Sequence, residues 1–305
     1  MIRIETAAPP GADLNEVNAL KFWMAVVLGV VQGVAEFLPI SSSGHLSLLQ
    51  YFFGMEEPDA LYNILLHFAT LVAVCVVYRQ DIADMIVEFF RLLASLFGGE
   101  GRRERGNPPE ARRMILLLIL GTLPLFLVLP LEGFVEDLGA SPVFVSLMLL
   151  LTGCILFLSD RYGGGRKDGR TATVKDVLLV GVAQGMATIP GLSRSGTTIS
   201  AGMALGFDRG FAVRFSFLLS LPAVLGATLL KVLDVMKLEG GVPAENLPKY
   251  LLGMAVAAVV GYFSIKLVNL LADRGKFGAF AFYCWGAGAL FILLNIMGWT
   301  LVPAA

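Results

Sequence analysis

The chain has 305 residues, of which 56% are hydrophobic and 15% are charged, and its formal net charge is −1. This composition is typical of a helical membrane protein with several spans and excludes an ordinary soluble domain. Because the net charge is close to zero, we expect no nucleic-acid partner. The three cysteines (Cys75, Cys154 and Cys284) lie in apolar runs and indicate neither a disulfide framework nor a metal site.

The first membrane element of the chain is interrupted by polar residues. After a polar, acidic tail over 1–20, residues 22–31 are apolar enough for a membrane helix. The polar stretch Gln32–His45 follows, and the chain is then apolar again as far as Phe53. Non-helical polar backbone at membrane depth is tolerated only where it is buried in protein or lines a cavity. Residues 22–54 are therefore predicted to form a re-entrant hairpin.

The rest of the chain contains further apolar runs long enough to span a membrane, which takes about 20 residues. A second polar interruption predicts a second re-entrant hairpin over 174–206. The predicted spans are 60–78, 114–131, 142–159, 212–233, 249–270 and 279–300.

The charges between the spans predict the orientation. The arginine-rich loop between Arg79 and Arg113 and the basic loop from Arg161 to Lys175 are expected to be cytoplasmic, whereas the acidic segment 131–138 is expected outside. Both termini then lie outside. Within the first loop, residues 98–110 are interpreted as a solvated topology determinant rather than a binding segment.

The two hairpins are repeats of each other. Residues 29–44 align with 181–196 at an offset of 152 residues, with eight identical positions. Each half, 21–160 and 161–305, would hold one hairpin and three spans. Because three is an odd number of crossings, the second half would enter the membrane from the opposite side to the first. The predicted fold is therefore an all-α integral membrane protein with an inverted-topology repeat, in which the functional site lies near the midplane.

The first hairpin carries a candidate cation site. Gln32 and Glu36 are four residues apart and share one helix face. A carboxylate and an amide oxygen so placed can bind Mg²⁺ or Ca²⁺ together with substrate phosphates. The alternative is a protonated or hydrogen-bonded Glu36 that only packs the hairpin. Burying a charge at the bilayer centre costs about 2.5–3.5 kcal/mol on insertion scales, which favours a function.

The turn of the first hairpin offers hydroxyl groups and an imidazole. Ser41, Ser42 and Ser43 precede Gly44 and His45, and the helix that follows would direct free N–H groups at an anion. The alternative is a serine-rich helix cap. His67 has no polar neighbours in the sequence and is interpreted as a packing histidine.

The second hairpin is the better candidate for a phosphate site. Arg194 offers a planar fork of donors that matches phosphate oxygens, although an arginine that only reaches for the membrane surface is the alternative. Arg194 stands at the repeat position of Ser42, whereas Glu36 and His45 are replaced by threonines. The flanking residues expected to bind substrate are Ser193, Ser195, Gly196 and Thr198. The Gly29–Gly33 and Gly181–Gly185 pairs are interpreted as helix-packing positions.

Several of these segments resemble a known family. The segments Gln32–Pro39, Ser41–His45, Pro190–Ile199 and Phe215–Pro222 are similar to the undecaprenyl-diphosphate phosphatases of bacteria that are linked to bacitracin resistance. The resemblance runs from about residue 20 over essentially the whole chain. It implies an enzyme of the bacterial inner membrane that removes the terminal phosphate of undecaprenyl diphosphate, and so recycles the carrier lipid for cell-wall synthesis.

The resemblance also implies roles for individual residues. It places the family's functional positions on Glu36, Ser42, His45 and Arg194, and the family accepts Glu or Gln at position 32. Our hypothesis is that His45 is the general acid–base group and that Ser42 is either the nucleophile or a hydroxyl that orients water. Arg194 and its neighbours would bind the diphosphate beside the cation at Glu36 and Gln32, and the remaining substrate contacts would come from Ser41, Ser43 and Gly44.

A second function remains open from the sequence. Inverted repeats with broken helices are common in transporters, so the chain could be a polyprenyl-phosphate flippase. A pure carrier has no evident need for an acid, a hydroxyl and an imidazole in one hairpin only, and this asymmetry favours the phosphatase. We expect the site to open to the outer face. The sequence leaves open whether the protein is a homodimer.

Overall fold

A computed structural model describes residues 20–53, 60–96, 110–237, 246–275 and 277–298. Within these ranges the chain is helical, and its only β contact is an isolated bridge between Lys167 and Phe207. The helices up to residue 162 are α1 (Phe22–Ala35), α2 (Ser42–Phe52), α3 (Ala60–Val77), α4 (Arg79–Leu96), α5 (Glu110–Thr122), α6 (Glu132–Gly139) and α7 (Pro142–Tyr162), with short 3₁₀ turns at Leu123–Leu127 and Leu129–Leu131. The later helices are α8 (Val174–Met186), α9 (Arg194–Ala204), α10 (Arg209–Lys237), α11 (Leu247–Asp273) and α12 (Gly278–Ile296).

Helix length and composition define the membrane part. In the described ranges, five helical segments are long and apolar enough to cross a membrane, and the bent pair α3–α4 makes a sixth if it counts as one span. The protein is therefore an all-helical integral membrane protein. The five segments are Glu110–Leu131, Pro142–Tyr162, Arg209–Leu230, Leu247–Ala272 and Gly278–Ile296, and each overlaps a predicted span.

Helix α4 corrects one expectation. The sequence analysis placed a loop between Arg79 and Arg113, but Arg79–Leu96 is a helix that meets α3 at 85°. One face of α4 buries Glu88, which pairs with Arg91 and Arg112. Its exposed residues include Phe89 and Phe90. The charges that suggested a loop are the polar residues of an amphipathic helix. Residues 97–109 of that predicted loop lie outside the described ranges.

Two tight turns divide the predicted hairpins. Helix α1 ends at Ala35 and α2 begins at Ser42, whereas α8 ends at Met186 and α9 begins at Arg194. Each second helix is capped in the same way: Ser41 Oγ accepts from Gly44 N at 3.2 Å, and Ser193 Oγ accepts from Gly196 N at 3.0 Å. A serine at this position satisfies one of the free N–H groups of the first turn. The bounds of α2 and α9 differ by 152 residues at both ends.

Glycines let α1 lie directly on α11. A Cβ added to Gly29 would lie 2.6 Å from the carbonyl oxygen of Gly253, and one added to Gly33 would lie 2.8 Å from that of Ala257. Gly181 on α8 meets the carbonyl of Gly121 on α5 in the same way. These glycines are packing positions, as predicted, because any side chain there would separate the helices.

Candidate active site

The tips of the two polar segments pack against each other. A Cβ added to Gly44 would lie 2.9 Å from the Cα of Gly191, and one added to Gly196 would lie 3.3 Å from the Cβ of Pro39. Gly191 has a φ of +91°, a backbone conformation that glycine adopts without steric cost. The two contacts are reciprocal, since Gly196 and Gly191 are the repeat positions of Gly44 and Pro39. This contact brings Arg194 beside the first hairpin.

Glu36 is at the centre of the site. Its side chain is 5% exposed. Its Oε2 accepts hydrogen bonds from Ser42 Oγ at 2.6 Å and from Gln32 Nε2 at 3.1 Å, while Oε1 accepts from Arg194 Nη2. A buried carboxylate is stable only when it is paired and hydrogen-bonded in this way. The structure thus brings together Gln32, Glu36, Ser42 and Arg194, although 158 residues separate the carboxylate from the guanidinium.

His67 also contacts this carboxylate, so its interpretation as a packing histidine is wrong. Its Nε2 lies 3.5 Å from Glu36 Oε2, and its Nδ1 lies 2.8 Å from the carbonyl oxygen of Asn63. The sequence analysis considered only adjacent residues, whereas α3 packs beside the hairpin. One signal was present: Asn63, His67 and Thr70 form a polar stripe at helical spacing on an otherwise apolar helix.

His45 has partners away from Glu36. Its Nδ1 lies 2.8 Å from the carbonyl oxygen of Ser41, and its Nε2 lies 2.9 Å from the hydroxyl of Tyr283 on α12. The ring also stacks on Tyr283, with 5.6 Å between the ring centroids. Tyr283 was not predicted, because no sequence pattern links it to the hairpin. The acid–base role of His45 stays a prediction.

The flanking hydroxyl groups mostly support the first turns of α2 and α9. Ser41 and Ser193 are helix caps, as described above. The Oγ of each lies 3.4 Å from the Oγ of the serine two residues later, Ser43 and Ser195 respectively. Thr198 Oγ1 donates to the carbonyl of Arg194 at 2.8 Å and lies 2.6 Å from Ser216 Oγ on α10. The cap alternative therefore holds for Ser41, and its counterpart Ser193 is a cap as well. The binding roles of all these residues stay predictions.

Five buried polar atoms of the two predicted hairpins have no hydrogen-bond partner in the described part of the chain. They are Gln32 Oε1, Gln184 Nε2, Gln184 Oε1, Arg194 Nη1 and Thr197 Oγ1. An unpaired buried polar group costs about 1–3 kcal/mol, so such atoms call for an explanation. Arg194 Nη1 can donate to an anion, and Gln32 Oε1 can coordinate a cation. The two residues that donate to Glu36 besides Ser42 therefore retain one free donor, Arg194 Nη1, and one free acceptor, Gln32 Oε1.

The sequence profile described as bacitracin resistance protein BacA matches residues 25–290, a range that includes both hairpins and Tyr283. The chain belongs to this family. Proteins named undecaprenyl-diphosphatase are similar to this BacA-family chain over almost their whole length. That of Desulfatibacillum aliphaticivorans is 41% identical over 281 residues, covering 90% of this chain and 99% of the relative. That of Desulfosudis oleivorans is 40% identical over 274 residues (89% and 97%), and that of Methanosphaera stadtmanae is 37% identical over 276 residues (90% and 98%).

Proposed function

We propose that the protein is an undecaprenyl-diphosphate phosphatase that releases the terminal phosphate of the lipid and returns the monophosphate carrier to cell-wall synthesis. Loss of this phosphatase activity would then make the cell more sensitive to bacitracin. The observation that carries this proposal is the hydroxyl of Ser42 bonded at 2.6 Å to the Glu36 carboxylate, with Arg194 on the other carboxylate oxygen. The names of the similar proteins agree with this chemistry.

The proposed reaction begins at Ser42. Its Oγ attacks the terminal phosphorus, the proton of the hydroxyl moves to Glu36 Oε2, and the bond from phosphorus to the bridging oxygen breaks. The lipid monophosphate leaves and takes the proton, which restores the Glu36 carboxylate. Glu36 then takes a proton from the water that attacks the phosphoserine. It returns this proton to Ser42 Oγ as the bond from Oγ to phosphorus breaks, and inorganic phosphate leaves. In this reaction Ser42 is the nucleophile, because its hydroxyl is already hydrogen-bonded to the Glu36 carboxylate, which can act as the base.

Arg194 would stabilise the negative charge that develops on the phosphate oxygens during this reaction. One of its nitrogens fixes Glu36, and Nη1 is free to donate to a phosphate oxygen. Phosphoryl transfer depends almost entirely on positioning and electrostatic stabilisation, so a donor held in place before the reaction is effective. The first turns of α2 and α9 add their N-terminal dipoles near the same place.

A divalent cation fits the site in one way. Mg²⁺ and Ca²⁺ take oxygen ligands, and Gln32 Oε1 is a buried oxygen without a partner, on the same side chain that donates to Glu36. No cluster of three or more His, Cys, Asp or Glu side chains suited to a metal exists in the described ranges. We therefore propose that Gln32 and Glu36 hold the cation together with substrate oxygens. Such an ion would neutralise charge on the phosphates.

Exchanges at Gln32 and Glu36 test this assignment. We expect Glu36→Gln to lose most of the activity, because the Glu36 carboxylate is both the proposed base and the proposed carboxylate ligand of the cation. Gln32→Glu should retain activity. Phosphate release from purified protein with farnesyl diphosphate would be measured across a Mg²⁺ and Ca²⁺ titration, together with Mn²⁺ binding by electron paramagnetic resonance. Full metal-dependent activity in Glu36→Gln would show that Glu36 is a structural residue and that the cation binds at another site.

His45 is a second candidate for proton transfer, as the resemblance implied. If its imidazole carries the proton, His45→Gln should cost about as much activity as Glu36→Gln, and Tyr283→Phe should cost little. If the ring only links α2 to α12, Tyr283→Phe should reproduce the effect of His45→Gln, since both remove the same 2.9 Å contact.

A polyprenyl-phosphate flippase is the alternative function. The same purified protein distinguishes the two, because a carrier binds lipid phosphate without releasing phosphate. Absence of phosphate release at every metal concentration, with lipid transfer retained in liposomes, would favour the carrier. The bond from Ser42 to Glu36 favours the phosphatase, since transport needs no activated hydroxyl.

We further propose the inverted-repeat architecture, with halves 21–160 and 161–305 in one membrane domain. Three observations support it: the reciprocal glycine contacts between the hairpins, the equivalent caps at Ser41 and Ser193, and the matching bounds of α2 and α9. Counting α3–α4 as one span, each half then has one re-entrant hairpin and three spans. The site would open to the outer face of the inner membrane, with both termini outside.

A matched pair of cysteines tests the orientation. Asp137 and Arg170 are both exposed and lie on either side of α7. In a variant without the three native cysteines, we expect a membrane-impermeant maleimide to label Asp137→Cys in right-side-out vesicles and Arg170→Cys in inverted vesicles. The opposite pattern would reverse the topology, and labelling of both from one side would mean that α7 does not span.

A further inference from the structure

A groove between α4, α5 and α10 is not used by the proposed reaction. Its volume is about 300 Å³, and its lining includes Met85, Ile115, Ile119, Leu123, Phe126 and Pro222. Among the described residues that line it, only Thr122 has a polar side chain, and its hydroxyl donates to the carbonyl of Leu118 at 2.7 Å. We propose that this groove binds an acyl chain of a phospholipid whose headgroup carries a primary ammonium group. The inference concerns a ligand other than the substrate.

The groove has about the length of an acyl chain in one leaflet. Its lining follows α5 from Ile115 to Thr122 and continues along the 3₁₀ turn to Phe126. At about 1.5 Å per α-helical residue and about 2.0 Å per 3₁₀ residue, this stretch rises about 18 Å. Half of a hydrocarbon core of about 30 Å is similar. Because Ile119, Leu123 and Phe126 are exposed, a chain can enter sideways from the bilayer.

A smaller polar cavity adjoins the groove, and Met85 lines both. The polar cavity has a volume of about 110 Å³ and is also lined by Asp81, Asp84, Glu110 and Arg214. Arg214 pairs with Asp81 and, at 3.3 Å, with Glu110. In the described ranges, Asp84 has no ion pair. Three carboxylates therefore face one guanidinium, and this excess of negative charge favours a cationic headgroup.

A zwitterionic headgroup with an ammonium group and a phosphate matches these side chains. The ammonium can pair with Asp84, and the phosphate can accept from Arg214, whose buried Nε has no hydrogen-bond partner in the part of the chain that the structure describes. The same part of the chain holds no acidic cluster suited to a metal ion, so an ammonium fits this cavity better than a divalent cation. An anionic headgroup without an amine would be repelled by the carboxylates.

The seam that corresponds to this groove in the proposed repeat is closed. There α3 and α11 take the places of α10 and α5. Tyr62 stacks on Tyr250, with 5.2 Å between the ring centroids, and its hydroxyl donates to the carbonyl of Ala25. A Cβ added to Gly253 would lie 1.8 Å from that hydroxyl, so no space remains. The groove is therefore particular to the seam between α5 and α10, where Pro222 lies inside α10.

The charged end of the groove lies near the loop that is expected in the cytoplasm. Arg113, three residues after Glu110 on α5, donates to the carbonyls of Gly169 and Ala172 at 2.8 and 2.7 Å. In the proposed orientation the bound phospholipid would therefore belong to the inner leaflet, whereas the site at Glu36 opens to the outer face. The phospholipid and the substrate should then bind without competing.

Native mass spectrometry of the purified full-length protein tests this inference. Phosphatidylethanolamine, phosphatidylcholine and phosphatidylglycerol with the same acyl chains would be titrated in turn, and we expect phosphatidylethanolamine to bind most tightly. Asp84→Asn should weaken its binding about fivefold, the effect of losing an exposed ion pair. Ile119→Trp should weaken it about tenfold or more, because the indole fills the groove. A photoreactive acyl chain should crosslink to residues 115–126.

Two matched controls accompany these variants. Asp137→Asn removes an exposed carboxylate elsewhere, and Leu151→Trp adds an indole at an exposed position of α7, so both should bind phosphatidylethanolamine as the parent does. Equal affinity for the three lipids, equal effects of the controls, or crosslinks outside the groove would overturn the inference. Displacement of phosphatidylethanolamine by undecaprenyl phosphate would also overturn it and would make the groove part of the substrate path. None of these outcomes bears on phosphate release, which tests the proposed function separately.

Discussion

Arg194→Ala should reduce phosphate release to background while the protein still inserts into the membrane. The substitution removes the guanidinium group that pairs with Glu36 Oε1, and it removes the free donor Nη1 that would bind the phosphate. Removing one partner of a buried ion pair also leaves the other charge uncompensated, which typically costs about 3–5 kcal/mol. Activity should be measured on purified protein, with gel filtration and thermal unfolding to establish that the variant is folded.

Arg194→Lys tests which property of the arginine matters. A lysine carries the same charge but cannot hold Glu36 and a phosphate oxygen with two nitrogens of one rigid plane. We therefore expect the lysine variant to be nearly as poor as the alanine variant. Close to normal activity in Arg194→Lys would mean that charge alone is sufficient and that the geometry of the fork is irrelevant.

Ser42→Ala should also be close to background, because Ser42 is the hydroxyl bonded to Glu36 at 2.6 Å. With Ser42 as the nucleophile, rapid acid quenching of the parent enzyme with labelled substrate should trap a phosphoserine at this position. Mass spectrometry of the quenched protein would locate it. Ser47→Ala, on the same helix, is a matched control and should keep normal activity.

A different outcome would assign Ser42 the other role that the sequence left open. A residual activity only about 10- to 100-fold below the parent, with no trapped phosphoserine, corresponds to the loss of one hydrogen bond to a charged group. Ser42 would then orient water, and Glu36 would take the proton directly from that water. The rest of the site would keep its assigned roles.

Local spacing and the internal repeat were sufficient to predict much of the site. Gln32 and Glu36 share a helix face through their spacing alone, and the repeat pointed to Ser42 and Arg194 as counterparts. The contact between Glu36 and Arg194 then needed only that the two hairpins meet. The helical spans were similarly visible, since length and apolar composition decide them.

The remaining features depend on packing between distant elements. His67 reaches Glu36 because α3 lies beside the hairpin, and Tyr283 reaches His45 from the last helix. Neither contact leaves a pattern in the neighbouring residues. Helix α4 was missed for another reason: its charges outweighed its helical periodicity when it was interpreted as a loop. In this chain, patterns among neighbouring residues predicted the contacts within the hairpins but did not predict the contacts of α3.

The close contact of α1 with α11 limits how a lipid can reach the site. At Gly29 and Gly33 the two backbones touch, and the Cβ of Val260 also lies against Gly33. The seam between α8 and α5 is closed at Gly181 in the same way. A prenyl chain moving sideways out of the bilayer cannot pass between such helices unless they separate as whole bodies. Its path to Glu36 therefore runs along another helix boundary, where side chains rather than backbones form the wall.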